Sequence, residues 1–252
     1  MTDLTPTTAS TTASTSAAAS PVPAAAPGVP TGPVLDAAVL DVVARRRITD
    51  VLHFTTNHGL LGIAASGALL SRDDLNESDE VEHIRRLNCD DRLKDIDWTG
   101  YVSMSISAVN MRMLGSSESW QTRREGGDII SWAVLSFDPE ILAHPGVHFV
   151  TTNNTYDTVL RRGTGADALE ALFGPAIKWG YYGSVIRRGA GHQPHEPTDP
   201  QAEVLYPVSV PLSYLRAIYV REEELIDHMA GIQVVFPDLA GVRVECRPEV
   251  FR

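Results

Sequence analysis

Residues 51–71 read VLHFTTNHGLLGIAASGALLS. VLHFTT is rich in β-branched and aromatic side chains and stops at the turn-prone Asn57, which predicts a short strand. A helix follows over His58 to Ser66. Leu60, Leu61, Ile63 and Ala64 are its apolar face and Gly67 its C-terminal stop. ALLSRDDL then leads out of the helix.

Upstream, Val34 to Arg47 carries apolar Leu35, Val39, Leu40 and Val43 at helical spacing. Downstream, Asn76 to Trp98 is charged and poor in strand formers, predicting a short helix or an irregular exposed excursion. YVSMSIS (101–107) alternates cleanly, with Val102, Met104 and Ile106 on one face and Ser103, Ser105 and Ser107 on the other. AVNMRML (108–114) continues as a short helix, and IISWAVLSF (129–137) reads as a central strand. Pro139 to Leu142 is a single turn, VHFVTT (147–152) a strand, and Ala166 to Phe173 a helix between glycines. Arg187 to Pro200 is a loop. AEVLYPVSV (202–210) is a strand that Pro207 assigns to a sheet edge or a bulge. LRAIYV (215–220) is a strand, and EEELIDHMAG (222–231) a helix ended by Gly231. IQVVF (232–236) and VRVEC (242–246) are closing strands. The sum is an α+β domain, a mixed or antiparallel sheet of about 6–8 strands with flanking helices.

Residues 1–33 are almost all Thr, Ser, Ala, Pro, Gly and Val, with Asp3 the only charge. They hold too few large apolar groups to offset the entropy of ordering, so they read as a disordered low-complexity tail, with the folded domain over 34–252. No apolar run approaches the roughly 20 residues that span a bilayer. Cys89 and Cys246 lie far apart and in no metal-ligand spacing, which fits a reduced, cytoplasmic protein without membrane attachment. The net charge of −11 argues against charge-driven, non-specific binding of nucleic acid but leaves room for a local groove. Lys94 and Lys178 are the only lysines, so the positive charge is almost wholly arginine, whose fork suits phosphates.

Three residues carry candidate chemistry. Strand alternation puts Glu203 on a face with Leu205 and Pro207. A carboxylate so flanked is either edge-exposed or a functional acid. His53 sits in a strand that ends at a turn, where an imidazole can reach a ribose hydroxyl. Arg92, in NCDDR (88–92), stands where packing does not demand an arginine. His192, His195 and Glu196 have the look of a metal site, but Pro194 and Pro197 forbid the helix that would gather them, and no metal is assigned. GTGADALEALFG (163–174) lacks the strand–loop–helix context of a dinucleotide turn.

In order along the chain, HFTTNHGLLGIAASGALLS (53–71), DWTGYVSMSISAVNMRML (97–114), VHFVTTNN (147–154) and QAEVLYPVSVPLSYLRAIYV (201–220) resemble the successive motifs of DarT-type DNA ADP-ribosyltransferases. The resemblance implies the fold of that group and NAD as co-substrate. It implies that His53, Phe54 and Thr55 contact the nicotinamide half, that Gly62 and Leu70 line the dinucleotide site, and that Glu203 is catalytic. It also implies an arginine that binds phosphate and helps to activate the acceptor, assigned to Arg92 with Arg86 in reserve. The family strand Tyr-Val-Pro-Phe-Tyr-Phe reads YVSMSI here, a departure that bears on the acceptor more than on the NAD chemistry.

Cleaving the nicotinamide–ribose bond passes through an oxocarbenium-like state, which a carboxylate near the ribose stabilises. The same carboxylate can take the proton of an incoming base nitrogen. The implied activity is modification of a nucleobase in single-stranded DNA, thymidine by default and guanine as the alternative, by a toxin paired with a macrodomain antitoxin. RNA, a protein side chain or water are the other acceptors compatible with the residues. A non-catalytic nucleic-acid-binding domain is the alternative of another class. The transferase reading requires Glu203 and His53 to line one hollow.

Overall fold

The computed structural model describes residues 32–77, 96–122, 130–180 and 182–252. Its elements run in the order α1 (Ala37–Arg46), β1 (Val51–Thr56), α2 (Asn57–Ser66), β2 (Ala68–Leu70), α3 (Arg72–Glu77), β3 (Tyr101–Ile106), α4 (Met111–Thr122), β4 (Trp132–Phe137), β5 (His148–Val150) and β6 (Arg162–Gly163). They continue with α5 (Gly165–Ala171), β7 (Ala176–Trp179), β8 (Ser184–Arg187), β9 (Glu203–Pro207), β10 (Ser209–Pro211), β11 (Leu215–Val220), α6 (Glu224–Val235) and β12 (Arg243–Cys246). Pro33–Arg252 forms one unit around a common core.

Eight strands make one sheet in the order β12-β11-β4-β1-β3-β9-β5-β6. All its pairs are antiparallel except β11 with β12, so the fold is the expected mixed α+β type. One face packs Val51, Val102, Met104, Leu135, Val204 and Tyr206 against Val39 and Val42 of α1, Leu60 and Ile63 of α2, Leu169 of α5, and Met229 and Ile232 of α6. The other face carries a smaller cluster. There Leu52, Phe54, Val134 and Tyr219 meet Leu114 of α4 and the C-terminal Phe251.

The β1–α2 junction shows how local chemistry shapes the fold. The Thr56 hydroxyl caps α2 by accepting from the Gly59 amide at 3.1 Å. A Cβ on Gly59 would lie 2.1 Å from Thr55 Oγ1, so only glycine lets the helix start directly on the strand. Gly67 ends the helix at φ +68°, as its sequence position predicts.

Several elements depart from the sequence reading. IQVVF is not a strand: α6 runs through Gly231 to Val235, because Met229 and Ile232 fall on one buried helical face while Val234 and Val235 point outward. AEVLYPVSV is not one strand but two. Val208 takes φ +62° and breaks it into β9, in the main sheet, and β10, which pairs with β2. Nor does β9 lie at the sheet edge. It is flanked by β3 and β5, and Pro207 is tolerated because β5 reaches only as far as Leu205. VHFVTT is extended only over His148–Val150, and α4 is longer than AVNMRML suggests. The β7–β8 hairpin and β6 have no counterpart in the sequence reading.

Candidate active site

Glu203 opens β9 and is 6% exposed. Its strand neighbours Val204 and Tyr206 fill the large core, so alternation turns the carboxylate to the opposite face. Both oxygens are held there. Ser103 Oγ donates to Oε2 at 2.7 Å, and the backbone amide of Asn154 donates to Oε1 at 3.2 Å. Asn154 is fixed in turn by Arg162, whose Nε donates to its Oδ1 at 2.8 Å and whose terminal nitrogen reaches the same oxygen. A buried carboxylate with donors on each oxygen has a fixed orientation, and the hydrogen bonds offset part of its desolvation cost.

His53 comes to this place by a different route. Register gives it the parity of Val51, opposite to that of Glu203. However, β1 and β3 pair only at Val51 and Leu52 and then part. In that split the His53 ring turns its Nδ1 onto the Ser103 carbonyl at 3.0 Å. A carbonyl only accepts, so Nδ1 carries a proton. Ser103 therefore meets both residues, through its backbone to His53 and through its hydroxyl to Glu203.

The split is a small hollow lined by Leu52, His53, Phe54, Ser103, Met104, Ser105, Asn110, Met113 and Glu203. The structure brings His53, Phe54 and Glu203 together, with Phe54 stacked beside His53 at 6.3 Å and against Trp132 at 5.9 Å. Thr55, Gly62 and Leu70 do not line this hollow. Thr55 lies under the start of α2, where it meets Gly59. Gly62 is buried inside α2, and Leu70 belongs to the separate β2–β10 pair. Arg92 and Arg86, and with them Cys89, lie outside the described residues.

Residues that sequence reasoning did not single out are Ser103, Asn154 and Arg162. The run of serines on one face of YVSMSIS was the available signal, because small hydroxyls on a sheet face leave room and donors for a neighbouring acid. Asn154 and Arg162 act through a loop conformation, which carries no periodic signal. Among the described residues, no group of three or more His, Cys, Asp or Glu could hold a metal ion. No helix of the described residues is long and apolar enough to cross a membrane.

Comparisons with known proteins point to one family. A family model described as ssDNA thymidine ADP-ribosyltransferase, DarT, matches residues 52–252. The structure of Thermus sp. 2.9 DarT in complex with ADP-ribosylated ssDNA is similar at TM-score 0.57 and 18% identity, covering 82% of this chain and 97% of that one. The same protein in complex with NAD+ matches at TM-score 0.56 and 18% identity, covering 81% and 98%. Thermosipho africanus DarTG in complex with ADP-ribose matches at TM-score 0.53 and 13% identity, covering 81% of this chain and 51% of that one. No curated protein sequence matches.

Proposed function

The chain belongs to the DarT family of NAD-dependent ADP-ribosyltransferases, and from that premise we propose that it transfers ADP-ribose from NAD to thymidine in single-stranded DNA, with Glu203 as the catalytic carboxylate. The observation that carries this reading is the doubly held Glu203 carboxylate in the hollow that His53 also lines. The Thermus relatives, solved with NAD+ and with ADP-ribosylated ssDNA, support both substrates.

In this reading NAD supplies a ribose whose bond to nicotinamide is weak because the leaving ring is cationic. His53 and Phe54 orient the nicotinamide end. Glu203 faces the ribose and stabilises the positive charge that develops as the C–N bond breaks and nicotinamide departs with the electron pair. An N–H nitrogen of the thymine ring forms the new bond to the anomeric carbon, and Glu203 takes its proton. The base must be unpaired to reach that carbon, which accounts for a single-stranded acceptor. Arg92 is the proposed phosphate ligand and activator of the acceptor. Thr55 is proposed to contact the nicotinamide half with His53 and Phe54, and Gly62 and Leu70 to line the part of the dinucleotide site beyond the hollow. We further propose that the enzyme is the toxin of a toxin–antitoxin pair, working in the cytoplasm, whose partner is a macrodomain that removes the mark. The Thermosipho africanus match, a chain about half of which is covered and which is solved with ADP-ribose, supports that pairing.

The test is incubation with labelled NAD and, separately, single-stranded DNA, duplex DNA, RNA or no acceptor. Label on single-stranded DNA alone is the expected result. Label on RNA, or release of nicotinamide with no labelled polymer, overturns the acceptor assignment.

A further inference from the structure

Trp98, Tyr101 and His148 form a ring cluster beside the Glu203 hollow. Trp98 lies 4.9 Å from Tyr101 and 5.2 Å, edge-on, from His148, and Tyr101 meets His148 at 5.5 Å and 90°. All three are half-buried. Register puts Tyr101, Ser103, His148, Leu205 and Glu203 on one face of the sheet. Tyr101 is two residues along β3 from Ser103, so the rings begin roughly 7 Å from the serine that holds the catalytic acid. Arg162 closes the cluster, with its guanidinium carbon 4.1 Å from the centre of the Trp98 ring.

The charge on Arg162 is the second observation. Among the described residues Arg45, Arg46, Arg216, Arg221, Arg243 and Arg247 each pair with a carboxylate. Arg162 does not: its bonds go to the amide oxygen and the backbone carbonyl of Asn154. In a chain of net charge −11, a half-buried arginine with no carboxylate beside the active hollow is suited to an anion from outside. A guanidinium next to half-buried aromatic rings matches one nucleotide, with the base on the rings and the phosphate on the guanidinium edge that Asn154 leaves.

We propose that Trp98, Tyr101, His148 and Arg162 are the platform on which the acceptor strand lays the nucleotide adjacent to the one that reacts. This rests on the single-stranded DNA reading above and adds to it the surface that holds the strand in register. Base stacking tolerates any base, so the platform contributes affinity and position rather than sequence choice. It leaves the hollow itself to select the reacting base.

The test is binding of a short thymidine-containing single-stranded oligonucleotide, read by fluorescence anisotropy in the non-transferring Glu203→Gln background. Trp98→Ala is expected to weaken binding about tenfold or more, and Trp98→Phe, which keeps a ring, only about threefold. Arg162→Gln is expected to weaken binding and to flatten the dependence of log Kd on log salt by about 0.7, the share of one phosphate. Circular dichroism establishes that each variant folds. Should Trp98→Ala melt below the assay temperature, Tyr101→Leu carries the same expectation. A folded Trp98→Ala or Tyr101→Leu with wild-type affinity overturns the platform. Failure of the wild type to modify single-stranded DNA at all is a separate result, and it sinks the functional reading instead.

Discussion

The Ser103 hydroxyl donates to the Glu203 carboxylate at 2.7 Å across the pairing of β3 with β9. The same residue's carbonyl accepts from His53. One serine thus sets the relation between the two strands that border the split, and between the two side chains that the chemistry needs.

Removing only the hydroxyl separates these roles. Ser103→Ala keeps the backbone contact to His53 and removes the hydroxyl's hydrogen bond to Glu203 Oε2. A hydrogen bond to a charged group is worth roughly 1.5–3 kcal/mol, and loss of about 1.4 kcal/mol of that from orientation is a tenfold effect. Ser103 is a positioning residue, so kcat is expected to fall about tenfold while KM for NAD stays within twofold. Ser103→Thr, which restores a hydroxyl, is expected to recover most of the rate. Equal losses in both variants, or a change confined to KM, contradict this role.

Val208 is a β-branched residue at φ +62°, more than half exposed, at the break between β9 and β10. Its backbone is tied on both sides: its amide donates to the Gly100 carbonyl at 2.9 Å, and its carbonyl accepts from Ser71 at 2.8 Å. The left-handed conformation costs a non-glycine residue about 1–2 kcal/mol, and glycine gives back about 0.5–1 kcal/mol of that in chain entropy. Val208→Gly is therefore expected to raise Tm by about 1–4 °C in a domain of this size. A fall in Tm shows that the side chain contributes packing that outweighs the strain.

His144 is buried behind β9, with its Nδ1 2.6 Å from the Tyr206 hydroxyl. Burial holds it below its ordinary value of 6.5, against the opposing charges of Glu140 and Asp138. The unfolded chain therefore binds the proton first as the pH drops. The stabilising contribution of neutral His144 is complete above about pH 6.5 and is lost as the pH falls toward the lowered folded value. Thermal melts from about pH 7.5 down to 5 are expected to show a steeper loss for the wild type than for His144→Gln, which cannot titrate. Parallel curves contradict the linkage.

How much of this was legible beforehand depends on the physics at each position. Alternation sets Ser103, Ser105 and Ser107 on one face of YVSMSIS and Glu203 on a face with Leu205 and Pro207, but only the pairing of β3 with β9 makes these the same face of the sheet. Gly67 was legible as the end of α2, because a helix-stopping glycine acts locally, whereas the Thr56 cap and the close approach at Gly59 came only with the structure. His53 was legible as a candidate but not as a neighbour of Glu203. Its strand parity points away from the acid, and only the parting of β1 from β3 brings the ring round. IQVVF misleads because β-branched residues favour strands until a helix already anchored by Met229 sweeps Ile232 into the core. The break at Val208 was legible only as the bulge that Pro207 offered as an alternative to a sheet edge, since nothing in a valine announces a positive φ. Asn154 and Arg162 enter through loop geometry, where tertiary contacts rather than sequence period decide which atoms meet.

The central claim is that the Glu203 carboxylate drives transfer of ADP-ribose to an unpaired thymidine. It is tested most directly by mass spectrometry of an oligonucleotide with a single thymidine, incubated with NAD and either the wild type or Glu203→Gln. The expected result is the mass of one ADP-ribosyl group, located on the thymine, with wild type only, and a rate at least about 10²-fold lower with Glu203→Gln. Modification at the wild-type rate by Glu203→Gln, or an unmodified thymidine with the wild type, contradicts it.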